Sequence, residues 1–181
     1  SGTGNADGVI DSRSATGGYG YWYFNINNVT LEGRDGVSGT DTAYQPRRLL
    51  DAEDSHVTLS GKVIANVKQE LMQIGEVAIA NGAHVELNRT AGTTGYSMFY
   101  YMAIRGNNAS DTGFNHTFKV GDGATIIGNE LSTHNSNNYP LVYYGFNSIT
   151  VGDDVTWKQD GFQMLLDFSR YSGSQSNDRT A

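Results

Sequence analysis

The sequence predicts an all-β chain folded as a solenoid, a parallel β-helix of about five coils. Three observations predict it: one short strand motif recurs five times, turn residues follow each copy, and no convincing amphipathic helical stretch occurs in the 181 residues.

The copies read Val29-Thr30-Leu31-Glu32-Gly33, Val57-Thr58-Leu59-Ser60-Gly61, Val77-Ala78-Ile79-Ala80-Asn81-Gly82, Phe118-Lys119-Val120-Gly121-Asp122-Gly123 and Ile149-Thr150-Val151-Gly152-Asp153-Asp154. Their first residues lie 28, 20, 41 and 31 positions apart, as coils carrying loops of unequal length would place them. Each copy alternates apolar and polar residues, the period of a strand with one buried face, and then meets Gly, Asn or Asp. Three copies run on past the bend into a second alternating stretch, at 83–87, 124–127 and 155–157. Apolar, aromatic-rich segments precede the copies, at 21–26, 71–74, 98–104 with a separate Phe114, and 141–146. The unit is therefore strand, bend, strand, bend, strand.

Stacking such units sets each strand about 4.8 Å from its copy in the next coil, in parallel. Inward positions, among them Phe24, Ile26, Val29, Leu31, Ile79, Val151 and Phe162, would form one core column. Asn27, Asn115 and Asn147, each directly after an apolar residue ahead of a copy, are expected to stack as an amide ladder. A sandwich or barrel would show hairpin signals, and Asn81-Gly82 is the one clear example.

Composition narrows the class. There is no cysteine, so disulfide scaffolds and thiolate metal centres are excluded. Glycine supplies 23 residues but proline only 2, which excludes a collagenous repeat. A net charge of −7 argues against nucleic-acid binding, which needs a concentrated basic face. The longest apolar run, 99–104, is six residues, far short of the ~20 that span a bilayer, so no membrane insertion is expected. Residues 1–181 read as a single domain with flexible or capping ends at 1–18 and 172–181. The start at Ser1, with no leader, is read as that of a trimmed piece of a larger protein.

The units Asn28-Val29-Thr30-Leu31-Glu32-Gly33 and Val120-Gly121-Asp122-Gly123-Ala124-Thr125-Ile126, with the fivefold strand-turn-strand repeat, resemble the pectate-lyase-like adhesive domains of Gram-positive cell-surface proteins. The resemblance runs from about Tyr21 to Met164. It implies a right-handed parallel β-helix in a secreted protein attached to the bacterial cell wall. It further implies an adhesion module without lyase activity, whose partner is a host or matrix glycan or glycoprotein.

Chemistry was sought beside that resemblance. A β-helix lyase needs carboxylates converging on calcium and a basic residue to take a proton, and a hydrolase needs two or three facing acids ~5 to 9.5 Å apart. The densest acidic run, Asp51-Ala52-Glu53-Asp54, reads instead as a solvated turn, and Asp122, Asp153 and Asp154 read as turn residues capping backbone amides. His56, His84, His116 and His134 show no metal-binding spacing. No catalytic residue, metal site or cofactor is expected.

Aromatic clusters at 19–23, 96–101 and 139–144 are the strongest functional signal, since they fall on corresponding strands and alternation turns about half of each outward. Tyrosine and tryptophan present a large apolar body with a polar edge, suited to sugar rings and protein partners. The candidate ligand-binding residues are Tyr21, Tyr23, Tyr101 and Tyr143, with Arg47, Arg48 and Arg105 as bidentate partners for acidic sugar groups. The expected function is a non-catalytic adhesin, monomeric as a fragment. A polysaccharide lyase or hydrolase acting on acidic glycans is the first alternative, and a structural spacer in a wall-anchored protein is the second.

Overall fold

The computed structural model describes residues 8–11, 22–32, 48–67, 70–89, 99–100, 117–131 and 148–161. These form ten strands: β1 (Gly8–Asp11), β2 (Tyr23–Glu32), β3 (Arg48–Val67), β4 (Glu70–Ile79), β5 (His84–Arg89), β6 (Phe99–Tyr100), β7 (Thr117–Val120), β8 (Thr125–Glu130), β9 (Ser148–Val151) and β10 (Thr156–Asp160). All belong to one curled sheet in which every pairing is parallel. The expected all-β class and parallel stacking are therefore present, and no described residue is helical.

The pairing resolves into three ladders. In the first, Ile10, Leu50, Met72 and Phe99 stand in register. The second aligns Phe24, Val57, Val77, Phe118 and Ile149, and the third aligns Val29, Val63, Val85, Ile126 and Trp157. The long strand β3 passes through all three, bending between them.

Four of the five repeat copies, those at Val57, Val77, Phe118 and Ile149, fall on the second ladder as the repeat requires. The first does not. Val29 pairs with Val63 on the third ladder, and the residue in register with Val57 is Phe24. Two causes combine: both ladders carry the same alternation, and the first corner is the shortest. Two residues separate Ile26 from Val29, three separate Leu59 from Val63, and five separate Ile79 from Val85, Val120 from Ile126 and Val151 from Trp157.

Every corner nonetheless needs one left-handed residue to turn the chain onto the third ladder. Asn28 (φ 49°), Gly61 (61°), Gly82 (65°), Gly123 (66°) and Asp154 (55°) supply it. Asn and Asp are the non-glycine residues that tolerate this region best, because their short side chains can hydrogen-bond locally. The corners are also tied together. Asn28 Oδ1 accepts from the Lys62 amide at 2.9 Å, Asn81 Oδ1 from the Asp122 amide at 3.2 Å, and Asp122 Oδ1 from the Asp153 amide at 2.9 Å. Asp122 thus caps a backbone amide as turn chemistry predicts, but the amide belongs to the next coil. Asn81-Gly82 is such a corner, not a hairpin, since the strands it joins lie on different ladders.

Inside the curl, alternate residues of the ladders pack into one core. Leu59, Ile74, Leu87, Phe118 and Ile126 are fully buried, and Phe24, Ile26, Leu31, Ile149 and Trp157 pack against them from the outer coils. β-Branched and aromatic side chains suit this surface because parallel stacking sets like beside like. Phe118 stacks on Trp157 with centroids 5.8 Å apart, joining the second and third ladders. Val151, expected in the core, is 48% exposed because it stands on the last described strand of its ladder, with a neighbour on one side only. Phe162 lies outside the described residues.

Polar columns differ from expectation. Asn27 is in register with Ser60, after the second-ladder strand, whereas Asn115 and Asn147 precede theirs in sequence and lie outside the described residues. Among the described residues an amide ladder forms on the third ladder. Asn88 Nδ2 donates to Asn66 Oδ1 at 2.9 Å and Asn129 Nδ2 to Asn88 Oδ1 at 2.8 Å, while Asn66 Nδ2 donates to Glu32 Oε1 at 2.7 Å. The acidic run at 51–54, read from sequence as a solvated turn, is strand backbone within β3, with Asp51 in register with Asp11 and Gln73. β1 itself falls in the stretch expected to be flexible or capping.

A candidate ligand-binding face on the first coil

The outward positions of the second ladder build the candidate site. On β2 these are Tyr23, Asn25 and Asn27, all exposed, because Phe24 and Ile26 between them turn into the core. Tyr23 is 76% exposed. Its ring is nonetheless fixed: it stacks on the His56 imidazole with centroids 4.7 Å apart and planes inclined by 11°. Parallel register causes this, since Tyr23 and His56 are direct partners on adjacent coils and the strand spacing equals a stacking distance. His56 is held in turn by Glu76, its partner on the third coil, with Nδ1 2.7 Å from Oε2. The backbone below the column is anchored as well, the His56 amide donating to the Trp22 carbonyl at 2.9 Å and the Trp22 amide to Ser55 Oγ at 3.2 Å.

Continued along the stack, the same rung carries Thr117 and Ser148. Among the described residues the rung of Tyr23 holds no second tyrosine: Tyr23 is in register with His56 and His56 with Glu76, while Thr117 and Ser148 pair at the starts of β7 and β9. The cause is the misaligned first copy. Taking Phe24 as the partner of Val57 sets the preceding residues Tyr23, His56 and Glu76 side by side, and sequence reading missed the latter two for that reason.

Of the other candidate residues, Arg48 is the first residue of β3 and registers with Gly8 and Glu70 on the first ladder, a different ladder from Tyr23. Tyr21, Arg47, Tyr101, Arg105 and Tyr143 lie outside the described residues. Among the described residues no group of three or more His, Cys, Asp or Glu side chains is placed to hold a metal ion, and no helix is long and apolar enough to cross a membrane. The geometry offers a flat aromatic surface beside neutral amides. That combination binds by stacking and hydrogen bonding.

Comparison with protein families, curated proteins and solved structures finds no match for this chain.

Proposed function

We propose that the chain folds as a right-handed parallel β-helix of about five coils and serves as a non-catalytic adhesin module, binding carbohydrate or glycoprotein on a host or matrix surface. In this reading, which the sequence resemblance to pectate-lyase-like adhesive domains suggests, the chain belongs to a secreted protein attached to a Gram-positive cell wall, and the solenoid holds its lateral faces out from the cell. One observation carries the binding role: a tyrosine ring three-quarters exposed, yet held rigid by a neighbouring coil. An exposed aromatic gains binding free energy most readily when its rotamer is already fixed, because little side-chain entropy is then lost on contact.

The purified chain, printed against an array of neutral and acidic glycans, is expected to retain a defined subset at micromolar to millimolar concentration. It is also expected to leave polygalacturonate uncleaved with or without calcium. Calcium-dependent release of unsaturated products would overturn the non-catalytic reading in favour of a lyase, and failure to retain any glycan or glycoprotein would favour a spacer.

A further inference from the structure

Resting on the adhesin reading, we propose that the exposed face of Tyr23 is a stacking platform for a neutral pyranose.

Stacking on His56 occupies one face of the Tyr23 ring. β2 pairs with β3 and with no other described strand, so no described strand lies beyond the second face of the ring. The side chain is 76% exposed. A ligand there meets an aromatic face, whose quadrupole is negative and attracts polarised C–H groups. Pyranoses with equatorial hydroxyls present axial C–H groups on the ring faces and hydroxyls around the rim.

The surroundings match the rim. Asn25 and Asn27 follow Tyr23 on the same side of β2, at intervals of about 7 Å, and each amide offers donors and an acceptor. No charged residue shares this side between Tyr23 and Asn27, and the His56 that backs the ring is in contact with Glu76 through Nδ1. Among the described residues a uronate or sialate would find no cation on this side of the strand, whereas a neutral saccharide needs none.

A second copy of the chain is a poorer occupant of the same edge. The polar column of the third ladder begins at Glu32 and ends at Asp160, with Asn66, Asn88 and Asn129 between. Head-to-tail addition in register would set the two carboxylates on adjacent rungs about 4.8 Å apart, a destabilising like-charge pair.

The test is a titration of the chain with cellotetraose, β-1,4-galactotetraose and tetragalacturonate, followed by NMR at the Tyr23 ring and backbone. Tyr23→Phe, which keeps the ring, is expected to bind a neutral tetrasaccharide within about twofold of the parent, and Tyr23→Ala to lose about tenfold or more. His56→Ala should weaken binding by a smaller factor, because the ring loses its support and not its face. Both replacements lie on the surface, and unchanged thermal unfolding verifies the fold. Equal binding by Tyr23→Ala, or a preference for tetragalacturonate, would overturn the platform and leave the adhesin reading standing on another face. Loss of all glycan binding in the parent would overturn both. A concentration-dependent dimer dissolved by Tyr23→Ala would show that a second copy is the occupant.

Discussion

Replacing Arg89 alone by methionine is expected to destabilise the chain by about 3–5 kcal/mol, while replacing Arg89 and Glu130 together by methionine costs far less, near zero or a net gain. Arg89 and Glu130 are register partners on the third ladder, both at inward positions, with side chains only 6% and 7% exposed. The guanidinium donates to Glu130 Oε2 through both Nε and Nη2. A pair this deep contributes little net stability, since desolvating two ions offsets their attraction. Removing one partner, however, takes this charge contact away from the other inside the core. Equilibrium urea unfolding of the two variants measures the contrast. A single replacement that costs under about 1 kcal/mol would show that the pair is not buried, and with it that the end of β8 does not stack on β5.

Alanine at Gly121 is expected to cost about 3 kcal/mol, against about 1 kcal/mol for alanine at Gly82. The two glycines are needed for opposite reasons. Gly82 has a left-handed φ of 65° and open space around it, so an added methyl strains only its own backbone. Gly121 has an ordinary φ, but a Cβ there would meet the Asn81 amide nitrogen at 2.7 Å, the Ala80 carbonyl carbon at 2.9 Å, and Asn81 Oδ1. Backbone atoms cannot swing aside, so the coils must separate. Gly152 repeats the arrangement one coil on, over Asp122. Thermal unfolding of Gly121→Ala and Gly82→Ala ranks them, and asparagine at position 82 should restore most of the smaller loss, since Asn28 already holds the equivalent corner.

How far the sequence carried can be read at particular residues. Copies two to five were legible because each joins an alternating strand to Gly, Asn or Asp at a corner of similar build, where Gly61, Gly82, Gly121, Gly123 and Gly152 sit. The first coil was not. Its corner uses Asn28 where others use Gly or Asp, and it is shorter, so the alternation of 29–32 imitated a second-ladder strand. That single slip hid the Tyr23–His56–Glu76 column, and the Asn66–Asn88–Asn129 ladder was not foreseen because it depends on register rather than on any local pattern. The strand through 51–54 was illegible for another reason. Acidic residues are poor strand formers by propensity, and pairing on both sides overrides this at Asp51, while Glu53 and Asp54 fall in the register shift between Ala52 and His56. Of the candidate site, Tyr23 was visible as an outward aromatic; its supporting histidine was visible only as a residue without a metal partner.

Since the chain has no cysteine of its own, engineered cysteine pairs report the register directly. Parallel partners about 4.8 Å apart fall within the reach of a disulfide, and residues one ladder away do not. Thr58→Cys should oxidise rapidly with Asn25→Cys, its structural partner, and Ala78→Cys with Lys119→Cys. Thr58→Cys should stay reduced with Thr30→Cys, whose partner is Ile64 although the repeat alone would pair it with Thr58. Rapid cross-linking of Asn25 and Thr58 with none between Thr30 and Thr58 is the expected result, and the reverse would contradict the stack of coils on which the Tyr23 face depends.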